Sequence, residues 1–297
     1  MDIFQGAGIA VFLFALVFYF FATILLFFRR MSVPFSTIFS CLFFALVGLF
    51  MAASKSSPNT LKLNLVNTIA AESSSIVYLE NFGLVRGISQ DPANNGNDTL
   101  YLNFKSKIAW VDLGNNGGIY ALAASNGKVY ISQLFDNVLL SYDGKNIVDV
   151  ANLIGSATHL AVDASNQTDE AVYGNYIFST IEGTVYVNNI PINGTVSPFA
   201  LCFHGENLYI SDDARVLVWH RGEIVRQIGP IPPARRMQIW LDRYLVVVPI
   251  RVFSQTQIFD LYGGFLTTIK GKATHLAVSS SQLYLTDGTT IRVFEQG

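Results

Sequence analysis

The chain has 297 residues, of which 19 are Lys or Arg and 21 are Asp or Glu, giving a formal net charge of −2. It has no Lys/Arg-rich segment that would neutralise a row of phosphates, so we expect no nucleic-acid binding. The length suits one large domain or two ordinary ones. Within residues 1–53 the only charged side chains are Asp2, Arg29 and Arg30, whereas the remainder has the mixed composition of a soluble protein. The sequence therefore predicts two regions that face different solvents.

Two uncharged apolar stretches, at about 6–28 and 33–53, lie near the N-terminus. Each reaches the roughly 20 residues that a helix needs to cross a bilayer, and lipid offers the backbone no hydrogen-bond partners, which favours helix. The sequence predicts a two-helix transmembrane hairpin over residues 1–55. Arg29 and Arg30 are topology determinants, because their place in the short turn puts the turn in the cytoplasm and the C-terminal region outside the cell membrane or virion envelope.

Another interpretation makes Arg29 and Arg30 the basic part of an internal signal peptide whose apolar part is 38–50. It is less favoured, because a signal peptide should lie at the N-terminus and a complete apolar span precedes this one. Residues 56–75 form a polar linker rich in Ser and Asn. The linker suits a flexible tether, or, from the alternation Leu61 to Leu65, a short strand that docks on the rest of the protein or on another subunit.

Three Asn-X-Thr sequons follow, at Asn97, Asn166 and Asn193, all beside turn-like residues. They are glycosylation candidates if the C-terminal region is extracytoplasmic. Their positions agree with the outward orientation that the arginine turn predicts.

The C-terminal region contains an internal repeat. The hexapeptide Ala-Thr-His-Leu-Ala-Val occurs at 157–162 and again at 273–278, with weaker copies at 198–202 and 236–240, so the period is about 39 residues. Each start is followed by short β-branched and aromatic runs bounded by Gly, Asn and Asp, which is the pattern of β-strands. Four such strands per repeat are typical of a propeller blade.

Stepping backward by the same period gives two further starts, at 119–123 and 84–88, which makes six units. The last unit ends after three strands. Residues 75–79 resemble 146–150, an outer strand of another unit, and are predicted to supply the missing fourth strand. Such an exchange closes the ring and removes an exposed sheet edge.

The region 76–297 resembles six-bladed β-propellers of the NHL-repeat and gluconolactonase-like kind, through its blade length and its His-Leu-Ala-Val then Leu-Tyr-Leu-Thr-Asp alternation. The expected fold class is mainly β, a six-bladed β-propeller preceded by an α-helical transmembrane hairpin. The resemblance implies architecture and says little about chemistry. A gluconolactonase-like enzyme would be expected to gather Glu, Asn and Asp at the channel mouth around a divalent cation.

Four residues are channel or ligand candidates. His159 and His275 start units that are three apart, so they should face one another across the axis, which argues against a shared metal ion and favours hydrogen bonds to neighbouring blades. Arg235 and Arg236 follow two prolines at the entrance to the fifth unit. They are candidates for binding a carboxylate or sulfate, although a solvated loop is the favoured interpretation.

Carboxylates that follow strands lie in turn contexts, where Asp commonly caps its own backbone; these are Asp163, Asp212, Asp213, Asp242 and Asp287. The sequence contains no full metal-ligand set and none of the usual catalytic motifs. We therefore predict no catalytic, cofactor-binding or metal residues and no cofactor. Cys41 and Cys202 are predicted to be buried thiols.

The favoured function is a membrane-anchored, outward-facing β-propeller that serves as a structural or protein-interaction module of a cell envelope, a membrane complex or a virion. Its expected partners are the lipid bilayer, other membrane or envelope proteins, and further copies through the hairpin. The hairpin with an external domain resembles envelope-associated virion proteins of archaeal viruses. The alternatives are an extracytoplasmic metal-dependent lactonase or hydrolase and a ligand or sugar receptor, so an enzymatic role stays open.

Overall fold

The computed structural model describes residues 61–297 apart from 105–106, 115–117, 135–136, 156, 164–175, 182 and 251–253. The predicted transmembrane hairpin, with Arg29, Arg30 and Cys41, lies outside the described residues. Among the residues described, no helix is long and apolar enough to cross a membrane. Residues 59–297 form one compact unit.

The described residues form 24 strands arranged as six four-stranded antiparallel sheets, together with a 3-10 helix at Pro92–Asn94. From the inner to the outer strand, blade 1 consists of β2 (Ser75–Leu79), β3 (Gly83–Asp91), β4 (Asn97–Phe104) and β5 (Lys107–Asp112). Blade 2 consists of β6 (Ile119–Ser125), β7 (Lys128–Gln133), β8 (Val138–Tyr142) and β9 (Ile147–Asn152). Blade 3 consists of β10 (His159–Asp163), β11 (Tyr176–Ile181), β12 (Thr184–Val187) and β13 (Ile190–Pro191).

The remaining three sheets follow the same order. Blade 4 consists of β14 (Pro198–His204), β15 (Asn207–Asp212), β16 (Arg215–His220) and β17 (Glu223–Ile228). Blade 5 consists of β18 (Ala234–Trp240), β19 (Tyr244–Pro249), β20 (Gln255–Asp260) and β21 (Phe265–Lys270). Blade 6 consists of β22 (His275–Val278), β23 (Gln282–Thr286), β24 (Thr290–Gln296) and, as its outer strand, β1 (Leu63–Ala70).

The six inner strands form a closed ring. Each inner strand contacts the inner strand of the next blade, and β22 of the last blade contacts β2 of the first. Within a blade, tight turns join consecutive strands; Asn126 and Gly127, both with positive φ, connect β6 to β7. The prediction of a six-bladed β-propeller is therefore confirmed.

The hydrophobic core is divided among the blade interfaces. Six clusters of buried apolar side chains lie between successive blades around the ring. The cluster between blades 4 and 5, for example, contains Cys202, Val218, Met237 and Val247. Cys202 is a buried free thiol, as predicted, and its burial raises the pKa to about 12. Each blade is thus stabilised mainly by its neighbours.

The ring closes with a different strand from the one predicted. β1 pairs antiparallel with β24 from Leu63 opposite Gln296 to Ala70 opposite Thr290, so it completes blade 6. Residues 75–79 instead form β2, the inner strand of blade 1, and pair with β3. The start predicted at 84–88 consequently lies in β3, a second strand. Part of the segment predicted as a linker is therefore a strand of the propeller.

Burial explains this difference. Most residues of β2 are buried, as expected for an inner strand that packs against blades on both sides, whereas most residues of β1 are exposed, as in other outer strands such as β9. Residues 75–79 and 146–150 have similar side-chain types, although the first segment is buried on both faces and the second is exposed on both.

Hydroxyl groups on the second strands connect neighbouring blades. Ser89, Ser132 and Ser211 each accept a hydrogen bond from a backbone N–H at or near the start of the next inner strand, that of Ile119, Ala157 and Ala234 respectively. In blade 6 the Thr286 hydroxyl lies 2.8 Å from the Ser73 hydroxyl. The recurring Ser or Thr near the end of the second strand therefore has a structural role.

Replacement of Ser211 by Ala is expected to lower the free energy of unfolding by about 1–3 kcal/mol, because the buried N–H of Ala234 loses its acceptor. Chemical denaturation measures the change. The matched control is Ser281→Ala, an exposed serine whose substitution should alter stability by less than about 0.5 kcal/mol. Equal stabilities of the two variants would show that the Ser211 hydrogen bond contributes nothing.

Candidate functional site at the propeller axis

A central cavity of about 180 Å³ follows the axis of the ring. All six inner strands line it. Its walls include Leu160 of β10, Leu201 and Phe203 of β14, and Gln238 and Ile239 of β18. The cavity is small, so the groups at its ends decide what can enter it.

Three of the four predicted channel candidates meet near one end of this cavity. His159 is the first residue of β10, His275 is the first residue of β22, and Arg236 lies in β18. The Nη2 group of Arg236 donates to Nε2 of His275 at 2.9 Å, and its Nη1 group contacts Nε2 of His159. The histidines belong to the opposite blades 3 and 6, and an arginine from blade 5 joins them.

The backbone of β18 explains how Arg236 reaches the axis. Ala234 pairs with Pro249 and Arg236 pairs with the next residue back, Val248, so Arg235 is an extra residue in the strand. Such a β-bulge changes the direction of the following side chain. The carbonyl of Arg235 accepts from Nη1 of Arg236 at 2.9 Å. The expectation that these two arginines lie in a solvated loop is wrong, because both belong to a paired inner strand.

Threonines orient both imidazole rings. The Thr158 hydroxyl donates to the carbonyl of Thr180 at 3.0 Å, and the Thr274 hydroxyl donates to the carbonyl of Thr286 at 3.2 Å. Each threonine oxygen also lies within 3.4 Å of the Nδ1 atom of the following histidine. Because a hydroxyl has one proton, its oxygen can only accept from Nδ1–H. This assigns the Nδ1–H tautomer to His275, whose Nε2 lone pair faces Arg236.

His159 has a second neighbour on the same side. Its Nε2 atom lies 2.8 Å from the carbonyl oxygen of Arg235 as well as against Arg236. A proton on Nε2 would hydrogen bond to that carbonyl but would face the guanidinium. Burial and then the charge of Arg236 prevail, and the pKa of His159 falls from 6.5 to about 3.

The other members of the cluster respond to the same causes. Burial, followed by the charges of Arg236, His159 and Arg235, holds the pKa of His275 well below its ordinary value. Burial and the charge of Arg235 lower the pKa of Arg236 to about 10. At neutral pH the site therefore consists of one charged guanidinium between two neutral imidazoles. It can bind negative charge and accept or donate hydrogen bonds.

Two of the carboxylates that follow strands, Asp287 and Asp212, are held by local hydrogen bonds. Oδ1 of Asp287 accepts from the backbone N–H of Thr289 at 2.9 Å and of Thr290 at 2.8 Å, and these hydrogen bonds lower the pKa of Asp287 to about 2. The fully buried Asp212 accepts from Arg215 and from two backbone N–H groups. The described part of the chain contains no cluster of three or more His, Cys, Asp or Glu suited to a metal ion.

The sequons occupy different environments. Asn193 is exposed in the turn between β13 and β14. Asn97 begins β4, is partly buried, and donates from Nδ2 to Asp112 at 3.1 Å. Asn166 lies outside the described residues. Of the two described sequons, Asn193 is the more accessible to a glycosylating enzyme.

The outer strands carry large exposed apolar side chains in every blade, and we call this set the outer rim. Its members are Leu65, Val66, Trp110, Ile147, Val148, Val150, Ile190, Val225 and Phe265. The highest density is on β9, where Ile147, Val148 and Val150 are 40, 52 and 37% exposed, and Ile154 shortly after it is 52% exposed. The sequence of β9 has no alternation of apolar and polar residues that would show which face of the strand is covered. The exposure of its apolar side chains was therefore not predictable from the sequence pattern.

No protein-family model matches the sequence. No curated protein matches it either. Solved structures do resemble it. A gluconolactonase from Xanthomonas campestris has 13% identity and a TM-score of 0.57, over 83% of this chain and 93% of that chain. The WD40 domain of Neurospora crassa Pan2 has 14% identity and a TM-score of 0.54 over 80% of this chain and 98% of that chain. At these identities the likeness shows the propeller fold alone.

Proposed function

We propose that this protein is a membrane-anchored, outward-facing β-propeller that binds a protein partner through the β9 section of its outer rim, formed by Ile147, Val148 and Val150. The anchor is the helical hairpin predicted over residues 1–55. The partner is another protein of the same membrane or envelope, and a virion envelope is one such setting. Copies of the chain could also associate through the hairpin.

The observation that carries the proposal is the concentration of exposed apolar side chains on β9. Single exposed apolar residues are common on soluble proteins, but contiguous apolar patches mark interaction sites. β9 is also the edge strand of its sheet, so backbone groups on its free side are open to an added strand. An extended apolar segment of a partner fits both properties.

Co-purification tests the interaction. The full chain is extracted gently from its native membrane, and bound proteins are quantified for the natural protein and for a variant carrying Val148→Lys and Val150→Lys. We expect the variant to lose its main partner about tenfold or more. Val225→Lys on β17 is the matched control, since Val225 is similarly exposed, at 55%, but has no such apolar neighbours on its strand. A partner retained equally by all three proteins contradicts the proposal.

Protease treatment of intact cells or particles tests the orientation. If the propeller faces outward, added protease removes it and leaves a membrane-embedded N-terminal fragment, and a glycosylating host modifies Asn193. A propeller that is protected from protease until the membrane is opened contradicts the outward orientation.

The lactonase alternative requires a divalent cation in the channel. At the end of the channel that Arg236 occupies, such a cation would face Arg235 and Arg236, which repel it. Metal analysis of the purified full chain separates the two functions. Stoichiometric calcium that is lost on chelation together with hydrolytic activity favours the enzyme over the interaction module.

A further inference from the structure

The guanidinium of Arg236 retains two N–H groups that point to a ligand. Nη1 uses its two protons on the carbonyl of Arg235 and against His159, and Nη2 uses one on His275. Nε–H and the second Nη2–H have no acceptor within the described part of the chain. These two N–H groups lie side by side and form the fork that matches a carboxylate.

Another arginine of the same protein shows what this fork binds. Nε and Nη2 of Arg215 donate to Oδ2 of Asp212 at 3.1 and 2.9 Å. That carboxylate is fully buried and belongs to the same hairpin. In Arg236 the same pair of nitrogens has no such carboxylate among the described residues.

Among the described residues, the charged group that acts on Arg236 is a second cation, Arg235. The groups that shift the pKa values of His159, His275 and Arg236 are Arg235, Arg236 and His159, and none of the described carboxylates is among them. Removing a cation from water without a counter-ion is costly. A bound anion would compensate the guanidinium charge.

We propose that Arg236 binds a small carboxylate through Nε–H and Nη2–H at this end of the channel, with His159 and His275 holding the guanidinium in position. The site goes beyond the interaction role of the outer rim and does not depend on membrane anchoring. Its ligand class is a monocarboxylate small enough to sit between the inner strands.

Calorimetric titration of the full chain in detergent tests the site, with sodium acetate as the probe at constant ionic strength. We expect saturable binding to the natural protein and at least a tenfold weaker affinity in Arg236→Lys, which keeps the charge but lacks the fork. Arg236→Gln should abolish binding. Arg243→Gln is the control, because Arg243 is exposed and away from the axis, and it should leave the affinity unchanged.

Circular dichroism shows whether each variant is folded, and Arg236→Lys decides the question if Arg236→Gln does not fold. Equal acetate affinity in Arg236→Lys and the natural protein overturns the proposal, as does a folded natural protein that binds no acetate. Sulfate is titrated in parallel. Tighter binding of sulfate than of acetate would overturn the assignment to a carboxylate.

Discussion

A chain that lacks residues 59–70, which include β1, is expected to lose about 3–6 kcal/mol of unfolding free energy, since this segment brings Leu61, Leu63 and Ile69 onto the apolar clusters on either side of blade 6. The loss also leaves β24 as an unpaired edge. The two proteins to compare are residues 71–297, which lack β1, and residues 59–297, the compact unit that contains β1.

Urea denaturation measures both proteins, and light scattering detects association through the exposed edge. The longer protein is expected to unfold in one cooperative transition and to remain monodisperse. If the two proteins have the same midpoint and the same slope, β1 does not close the ring.

The second large effect concerns pH. The folded pKa of His159 is about 3, below its ordinary value of 6.5, and the pKa of His275 is also strongly lowered. Between pH 3 and pH 6.5 the imidazole of His159 binds a proton in the unfolded chain but not in the folded chain. The free energy of unfolding therefore falls as the pH falls from about 6.5. His159 contributes a slope of about 1.4 kcal/mol per pH unit over this window, and the lowered pKa of His275 acts in the same direction.

His159→Gln is expected to reduce the slope of unfolding free energy against pH, between pH 6 and pH 4, by about 1.4 kcal/mol per unit, and His275→Gln should change the slope in the same direction. The double variant should lose both contributions. Denaturation at pH 7.5 separates any effect of the substitutions on packing from their effect on protonation, because both native histidines are then neutral in the folded and unfolded states. An unchanged slope in the double variant would mean that the two imidazoles are protonated in the folded protein.

Strand content and blade number were predictable because the inner and second strands repeat apolar, β-branched runs about every 39 residues. The closing strand was not. β1 has the exposed composition of any outer strand, and only its pairing with β24 identifies it. The local sequence pattern indicates that a segment is extended. Which strand an outer strand pairs with is decided by the closure of the ring.

The candidate site was predictable in part. The repeated hexapeptide identified His159 and His275 and their opposite placement, and the paired arginines suggested an anion ligand. The bulge at Arg235 that turns Arg236 toward the axis has no clear sequence pattern. Thr158 and Thr274, which orient the two imidazoles, are part of the repeat, but the sequence does not show that their hydroxyl oxygens contact the histidine rings.

Site-specific photo-crosslinking in the native membrane tests the proposed interaction most directly. A crosslinking residue is placed at Val148 of β9 in the full chain, and another at Val225 of β17 as the control. The proposed function predicts one discrete crosslinked protein from Val148 and none from Val225. A folded protein that gives no crosslink at Val148, or the same weak products at both positions, would contradict the interaction role.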